Sequence, residues 1–189
     1  METQEITVKE HILQTATRLF HEQGYNLTGI NQIIDEADVA KASLYYHFPS
    51  KEDLCVAYLQ RKNNLWLSGL ELFLKGSKDP KQRIIKTFDY RALHMEKNHF
   101  GGCSHIRIIS EIPQRGDKID LQAVVQKKKQ RNFFVDLTIQ IEPTRKKAEA
   151  LADTIFLLFD GGTVQCQVYR NAVPLEAAKK AVIQLLKEY

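Results

Sequence analysis

Apolar residues recur every three or four positions along most of the chain, and no stretch alternates in the manner of a strand, so the expected fold class is all-α. A first helix carries Phe20 and ends at Gly24-Tyr25. Thr28 is expected to cap a short helix with Ile30, Ile33, Ile34 and Ala37 at helical spacing. Asp38-Val39 then supply a turn, and a second short helix runs from about Lys41 to Phe48, where Leu44 and Phe48 share one face. Pro49 stops it. Ser50, with Asp53 as an acidic near-match to the capping box, opens a long helix reaching about Leu74 with the stripe Leu54, Tyr58, Leu65 and Leu72.

The remaining pattern is also helical. Gly76 to Pro80 breaks the chain before a helix from about Pro80 to Glu96, with Ile84, Ile85, Phe88, Ala92 and Met95 inward. A loop at Phe100-Gly101-Gly102-Cys103-Ser104 leads to a short helix ending near Pro113 to Gly116. A long helix follows from about Lys118 to Ile141, striped by Leu121, Val125, Phe133, Leu137 and Ile141. After Glu142-Pro143 come a helix from about Thr144 to Tyr169 and a last one opened by Pro174 and reaching about Lys187. No repeats or low-complexity tracts interrupt this series of nine helices.

The two short helices around Asp38 form a helix-turn-helix, in which the second helix offers small, polar and basic groups and no carboxylate to a DNA groove. Lys41, Ala42, Ser43 and Tyr46 are expected to face bases, with Thr28, Tyr45, His47 and Lys51 gripping phosphate or sugar. Backbone N–H groups at the helix starts near Thr28 and Ser50 would add phosphate contacts. For Tyr45 the alternative is core packing, and for His47 a helix-end contact.

These residues resemble the DNA-binding segment of the TetR family of bacterial transcriptional regulators. The resemblance runs through Phe20, Gly24-Tyr25, Thr28, Ile33, Ala37, Val39 and Lys41, and is sharpest from Leu44 to Leu54, LYYHFPSKEDL. It covers about the first third of the chain; beyond it only length and helical layout match. Four positions depart from the family pattern: Asp38 and Ala42 stand where Gly is usual, Ala40 where a capping Ser is usual, and Gly29 where Thr or Ser is common. A missing cap typically costs about 1 kcal/mol. None of the departures removes a positive group, so they bear on sequence preference more than on DNA binding.

The resemblance implies an N-terminal three-helix DNA-binding domain, residues 1–51, and a C-terminal helical ligand-binding and dimerisation domain, residues 52–189. It also implies a dimeric, cytoplasmic repressor released from a palindromic double-stranded operator by a small-molecule effector. Family members dimerise through their last two long helices. Here those helices carry Ile155, Phe159, Gly162 and Cys166, then Ala178, Val182 and Leu185, at helical spacing. Ordinary packing within one chain is the alternative for that stripe. Trp66, Phe88, Met95, Phe100, Phe133 and Phe159 are candidates to line an effector cavity, with Tyr90, Arg91 or His94 supplying polarity.

Composition adjusts this picture modestly. A chain of 189 residues with 43% hydrophobic content can bury a core and is not disordered. The net charge of +4 weakly favours an anionic partner. Residues 1–51, however, hold four basic side chains against seven acidic ones, a net −3, which leaves +7 for the rest. Bulk charge therefore does not carry the DNA assignment, and the local surface around Lys41 and Lys51 must. No apolar run is long enough to span a membrane, and the N-terminus has no leader pattern. Three widely spaced cysteines, Cys55, Cys103 and Cys166, suggest reduced thiols.

Other chemistries find little footing. His94, His99, Cys103 and His105 match no standard zinc spacing, so neither a metal nor a cofactor is expected. Cys103, after two glycines and at a helix start, is a lesser candidate for thiol sensing. The run Lys127-Lys128-Lys129-Gln130-Arg131 reads as a solvated helix face. An all-helical enzyme is the competing class; Glu111 and Asp160 are acidic but unpaired in sequence, and no phosphate-cradling or nucleophile motif is present. A DNA-binding module acting as an activator, or recruiting proteins without a small-molecule ligand, is the second alternative.

Overall fold

The computed structural model describes residues 6–112 and 117–189. Among them the chain is all-helical: α1 Val8–Glu22, α2 Ile30–Glu36, α3 Lys41–His47, α4 Lys51–Phe73, α5 Pro80–Lys97, α6 Ser104–Glu111, α7 Lys118–Thr138, α8 Arg145–Tyr169 and α9 Val173–Leu185, closed by a 3-10 turn at Leu186–Glu188. The expected end of α6 at Pro113 to Gly116 lies outside the described residues. Two compact units share these helices. One takes the chain up to Asn64 together with Ser104–Val124; the other takes Leu65–Cys103 and Val125–Tyr189.

Local chemistry accounts for most helix ends. Thr7 Oγ1 accepts from Glu10 N–H at 3.2 Å, and Asp79 caps α5 by accepting from Gln82 N–H at 3.0 Å ahead of Pro80. Ser50 caps α4 as expected: its hydroxyl accepts from Asp53 N–H at 3.1 Å and donates to the Asp53 carboxylate at 2.6 Å. Thr28 does not cap α2. That position belongs to Gly29, and the Thr28 hydroxyl donates instead to Gly24 O at 2.6 Å, four residues back. The nearer backbone carbonyl of the preceding turn captures a side chain that sequence spacing had assigned forward.

The N-terminal unit closes around Ile12, Ala16, Leu19, Phe20, Ile33, Leu44, Phe48, Leu54, Tyr58 and Leu59, with Ile108 and Ile119 from its second segment. Phe20 is its aromatic centre, 5.6 Å from the Tyr25 ring and 5.5 Å from that of Tyr58. Burial pushes the Tyr25 phenol up to about 12. The C-terminal unit has its own core, in which Trp66, Phe88, Phe134 and Phe159 meet Ile155, Val182 and Leu186. Gly162 lets α9 approach α8: a Cβ there would lie 3.1 Å from Leu175.

Two expected stripes hold only in part: Leu54 and Tyr58 on α4 and Leu137 on α7 are buried as expected. Leu65 and Leu72 on α4, and Leu121 and Val125 on α7, are exposed. Other buried positions include Leu59, Trp66 and Leu70 on the first helix, and Ile119, Ala123, Gln126 and Gln130 on the second. Both helices are apolar on more than one side and pass from one unit to the other, so a single stripe could not be read from spacing alone.

Candidate nucleic-acid interface

The reading helix is held from beneath and open above. Leu44 is fully buried in α3 and Phe48 follows it into the core, while Lys41, Ala42, Tyr45 and Tyr46 are exposed and Ser43 and His47 half-buried. Tyr46 is the most prominent, 83% exposed, with its ring 5.0 Å from that of His47 in an edge-on arrangement. The turn before α3 puts Asp38 in the left-handed region at φ 48°, a conformation that Asp tolerates better than most residues. Ala40 occupies the cap position of α3 and makes no side-chain cap bond.

Charge in this unit is arranged more favourably than the count of seven acids suggests. Arg18 engages both Glu22, at 3.1 Å, and Glu36, so two carboxylates of the first helices are already paired. Glu10 pairs with Arg61. Lys118 Nζ lies 2.6 Å from the Asp53 carboxylate, which this hydrogen bond, aided by Ser50, holds below the usual carboxylate range. Lys51 sits with its ammonium 4.3 Å from the Tyr25 ring centroid, and burial lowers its pKa. Thr28 is 0% exposed. Its hydroxyl is committed to Gly24, so only the backbone nearby is open to a phosphate.

Sequence reasoning missed the strut beneath this surface. Glu111 accepts from Asn26 N–H at 2.9 Å, its backbone carbonyl accepts from Asn26 Nδ2 at 2.7 Å, and Arg107 Nη1 donates to His21 O at 2.6 Å. α6 thus fastens the loop between α1 and α2. Gly24 is required there: its φ is +92°, and a Cβ would fall 2.7 Å from the Glu111 carboxylate. The partners stand 85 residues apart, and nothing in the sequence pairs them.

In the C-terminal unit the six proposed effector-lining residues fall in one cluster: Trp66, Phe88, Met95 and Phe159 fully enclosed, Phe100 and Phe133 partly so. Arg91 is buried among them. The proposed dimer stripe is largely interior to the single chain. Ile155, Phe159, Gly162, Cys166, Ala178 and Val182 are buried and Leu185 partly buried, because α8 and α9 pack against each other along that side. What these helices leave uncovered is another face: Leu157, Gly161, Val168 and Tyr169 on α8, with Val173 and Ala177 on α9.

Cys103 is buried, as are Cys55 and Cys166, and burial raises the thiol pKa of the latter two. Of the proposed metal-like residues, His99 is exposed, His94 is half-buried against Asn98, and His105 is buried. Among the described residues no three His, Cys, Asp or Glu side chains gather closely enough to hold a metal. No described helix is long and apolar enough to cross a membrane.

Comparison with known proteins meets this geometry at both scales. The family described as bacterial regulatory proteins, tetR family, matches residues 12–58, which hold α2 and α3 whole. The chain is 25% identical over 181 residues to the HTH-type transcriptional regulator LmrA of Bacillus subtilis, covering 95% of this chain and 96% of that one. It is 26% identical to the HTH-type transcriptional repressor NemR of Escherichia coli, over 90% of this chain and 89% of the relative. A TetR-family regulator from Streptomyces coelicolor has the same fold, with a TM-score of 0.86 at 22% identity over 96% of this chain and 95% of its own. These relatives regulate transcription, which sets the enzyme reading aside.

Proposed function

We propose that the chain is a DNA-binding transcriptional regulator of the TetR family, a dimeric repressor released from a palindromic operator by a small-molecule effector. The observation that carries the DNA-reading surface is α3: a buried Leu44 fixes the helix, while its exposed side presents Lys41, Ala42, Tyr45 and Tyr46 with no carboxylate. In this reading Lys41, Ala42, Ser43 and Tyr46 meet base edges, and Tyr45, His47 and Lys51 meet the backbone. Lys51 is favourable because its position is held by Tyr25. In this reading residues 1–51 do the reading, and effector and partner are held within residues 52–189.

The uncovered face of α8 and α9 favours a second copy as its partner. Leu157 is 72% exposed and Val168 66%, while Gly161 has nothing within 4 Å of a built Cβ, so a helix of the partner has room for close approach. Two copies related by a two-fold axis would present two α3 helices to successive major grooves, about 34–36 Å apart. The repressor sense follows the name of the relative NemR, and a cytoplasmic setting follows from DNA as the target.

Selection of bound sequences from a random DNA pool at near-physiological salt tests the reading. The expected product is an inverted repeat with half-sites about one turn apart, bound by a species twice the chain mass in sedimentation. Leu157→Glu should shift the protein to monomer and lose the operator. A monomer at every concentration, or enrichment of a single unrepeated half-site, would overturn the dimeric repressor.

A further inference from the structure

Arg91 is 4% exposed, deep in the C-terminal core. Its guanidinium lies 5.6 Å from the Trp66 ring centroid and 5.4 Å from that of Phe159, and Nε donates to Thr163 Oγ1 at 3.2 Å. The Thr163 hydroxyl in turn donates to Phe159 O at 2.8 Å. Among the described residues no carboxylate pairs with this cation. The acids of α8 are taken: Glu149 by Arg145 at 2.9 Å, Asp153 by Arg131, and Asp160 by Lys127 at 2.7 Å. Asp89, two residues before Arg91 on α5, is taken by Lys179.

An arginine cannot shed its charge when buried, and an unmatched buried charge costs several kcal/mol. Ring faces recover about 2 kcal/mol when desolvated, which offsets only part of that. A second donor in the same cluster is also unmatched: Trp66 Nε1 is buried with no hydrogen-bond acceptor among the described residues, in a side chain 4% exposed. A guanidinium fork and an indole N–H together ask for a planar anion with several lone pairs. The surrounding rings of Phe88, Phe134 and Phe159, with edge-on contacts of 5.4 and 5.5 Å, ask for an apolar body attached to it. A cationic effector is disfavoured, since it would meet a like charge at low dielectric.

We infer that the core around Arg91 and Trp66 receives the carboxylate of a small aromatic or aliphatic acid, and that such acids are the effector class. The inference rests on the reading of this unit as the effector-binding one. Arg91 grips the carboxylate, Trp66 Nε1 donates to it, and Thr163 fixes the guanidinium plane through Nε.

Trp66 is the only tryptophan, so its fluorescence reports the site directly in the full-length protein. Titration with benzoate, naphthoate and decanoate, each beside its neutral amide, should show saturable changes for at least one acid. That acid should bind at least about tenfold more tightly than its amide, a difference of about 1.4 kcal/mol. Arg91→Met should abolish the preference while leaving the melting temperature unchanged or higher, as replacing an unmatched buried charge by an apolar chain of similar length tends to do. Equal binding of acid and amide, no binding by any acid, or a preference surviving in Arg91→Met would overturn the inference. If Arg91→Met fails to fold, the wild-type comparison of acid with amide still decides it. Operator affinity separates the two layers. Acids that bind with the expected preference yet leave the operator complex intact sustain the site and sink effector release; release by a neutral compound that ignores Arg91, with no acid binding, does the reverse.

Discussion

The two units of this chain bury similar aromatic clusters but treat charge in opposite ways. In the N-terminal unit, Phe20 packs on Tyr25 and Tyr58, and the ionic groups stay at or near the surface in pairs such as Arg18 with Glu36 and Lys118 with Asp53. In the C-terminal unit a guanidinium sits inside the ring cluster itself, balanced among the described residues by ring faces and one threonine hydroxyl. The first arrangement suits a rigid frame for a reading helix, since its ion pairs lie outside the aromatic centre. The second leaves binding potential in the interior. A core that carries an unmatched charge is less stable than it need be, which is expected of a place that must accept something else.

The largest effect that would sharpen this contrast is cavity formation. Phe20→Ala and Phe159→Ala each remove a fully buried ring, and each should cost about 3–5 kcal/mol by denaturant unfolding. Phe159 touches the rings of Trp66, Phe88 and Phe134 as well as Arg91, so its loss belongs at the upper end. A Phe159→Ala variant cheaper than Phe20→Ala would show a C-terminal core already loose enough to admit a guest. That outcome would widen the difference between the units and erase the tight packing drawn for the second.

A smaller effect is expected at the reading surface. Lys51→Ala removes the cation at the start of α4 that this reading sets on the DNA backbone; operator affinity should fall alike for all sequences, and the slope of log affinity against log salt should drop by about 1. Ser43→Ala should instead alter which bases are preferred. An unchanged salt slope for Lys51→Ala would take that residue off the phosphate list.

What was legible beforehand divides along the same line. The helix-turn-helix could be read because its cues are local: Ser50 and Asp53 cap from three residues apart, Leu44 and Phe48 share a face, and Pro49 stops the helix. The strut of Glu111 on Asn26 could not, because no local rule links positions so far apart. The α8–α9 stripe was read correctly as apolar, yet periodicity cannot say whether the cover comes from the same chain or another. The structure gives Ile155, Phe159 and Val182 to the chain's own core and leaves Leu157 and Val168 outside. The aromatic members of the C-terminal cluster were recognisable by type, whereas the isolation of Arg91 emerges only once the acids of α8 and Asp89 are seen to be engaged elsewhere.

Acid should act on the N-terminal unit through a specific pair. Lys118 and Ser50 hold the Asp53 carboxyl below its ordinary value of 3.8. A depressed folded-state pKa contributes stability above the unfolded value, and that contribution is lost as pH falls through the folded one. The loss should therefore appear below about pH 4, where unfolded carboxyls protonate. Lys118→Ala should move the Asp53 titration upward in a carboxyl-resolved NMR experiment and shrink the acid-sensitive part of the unfolding midpoint. A titration that stays in place would mean that Ser50, and not Lys118, governs the carboxyl.

The smallest effect concerns the turn that aims the reading helix. Asp38 holds φ 48°, where a Cβ is a burden that glycine lacks. Asp38→Gly should be neutral or slightly stabilising in urea unfolding. Asp38→Ala, which keeps the Cβ and loses the local polar compensation, should cost about 1 kcal/mol. The same pair of variants tests whether the carboxylate serves the adjoining helix. α3 begins at an alanine cap with no side-chain bond to its first turn, and an Asp two residues earlier could favour that helix end through its charge alone. In that event Asp38→Gly would destabilise as much as Asp38→Ala, and adding salt would shrink both losses together. If glycine is harmless and alanine is not, backbone conformation decides the turn, and the absent cap on α3 stands uncompensated in the free protein, leaving its first-turn N–H groups for water or for the DNA backbone.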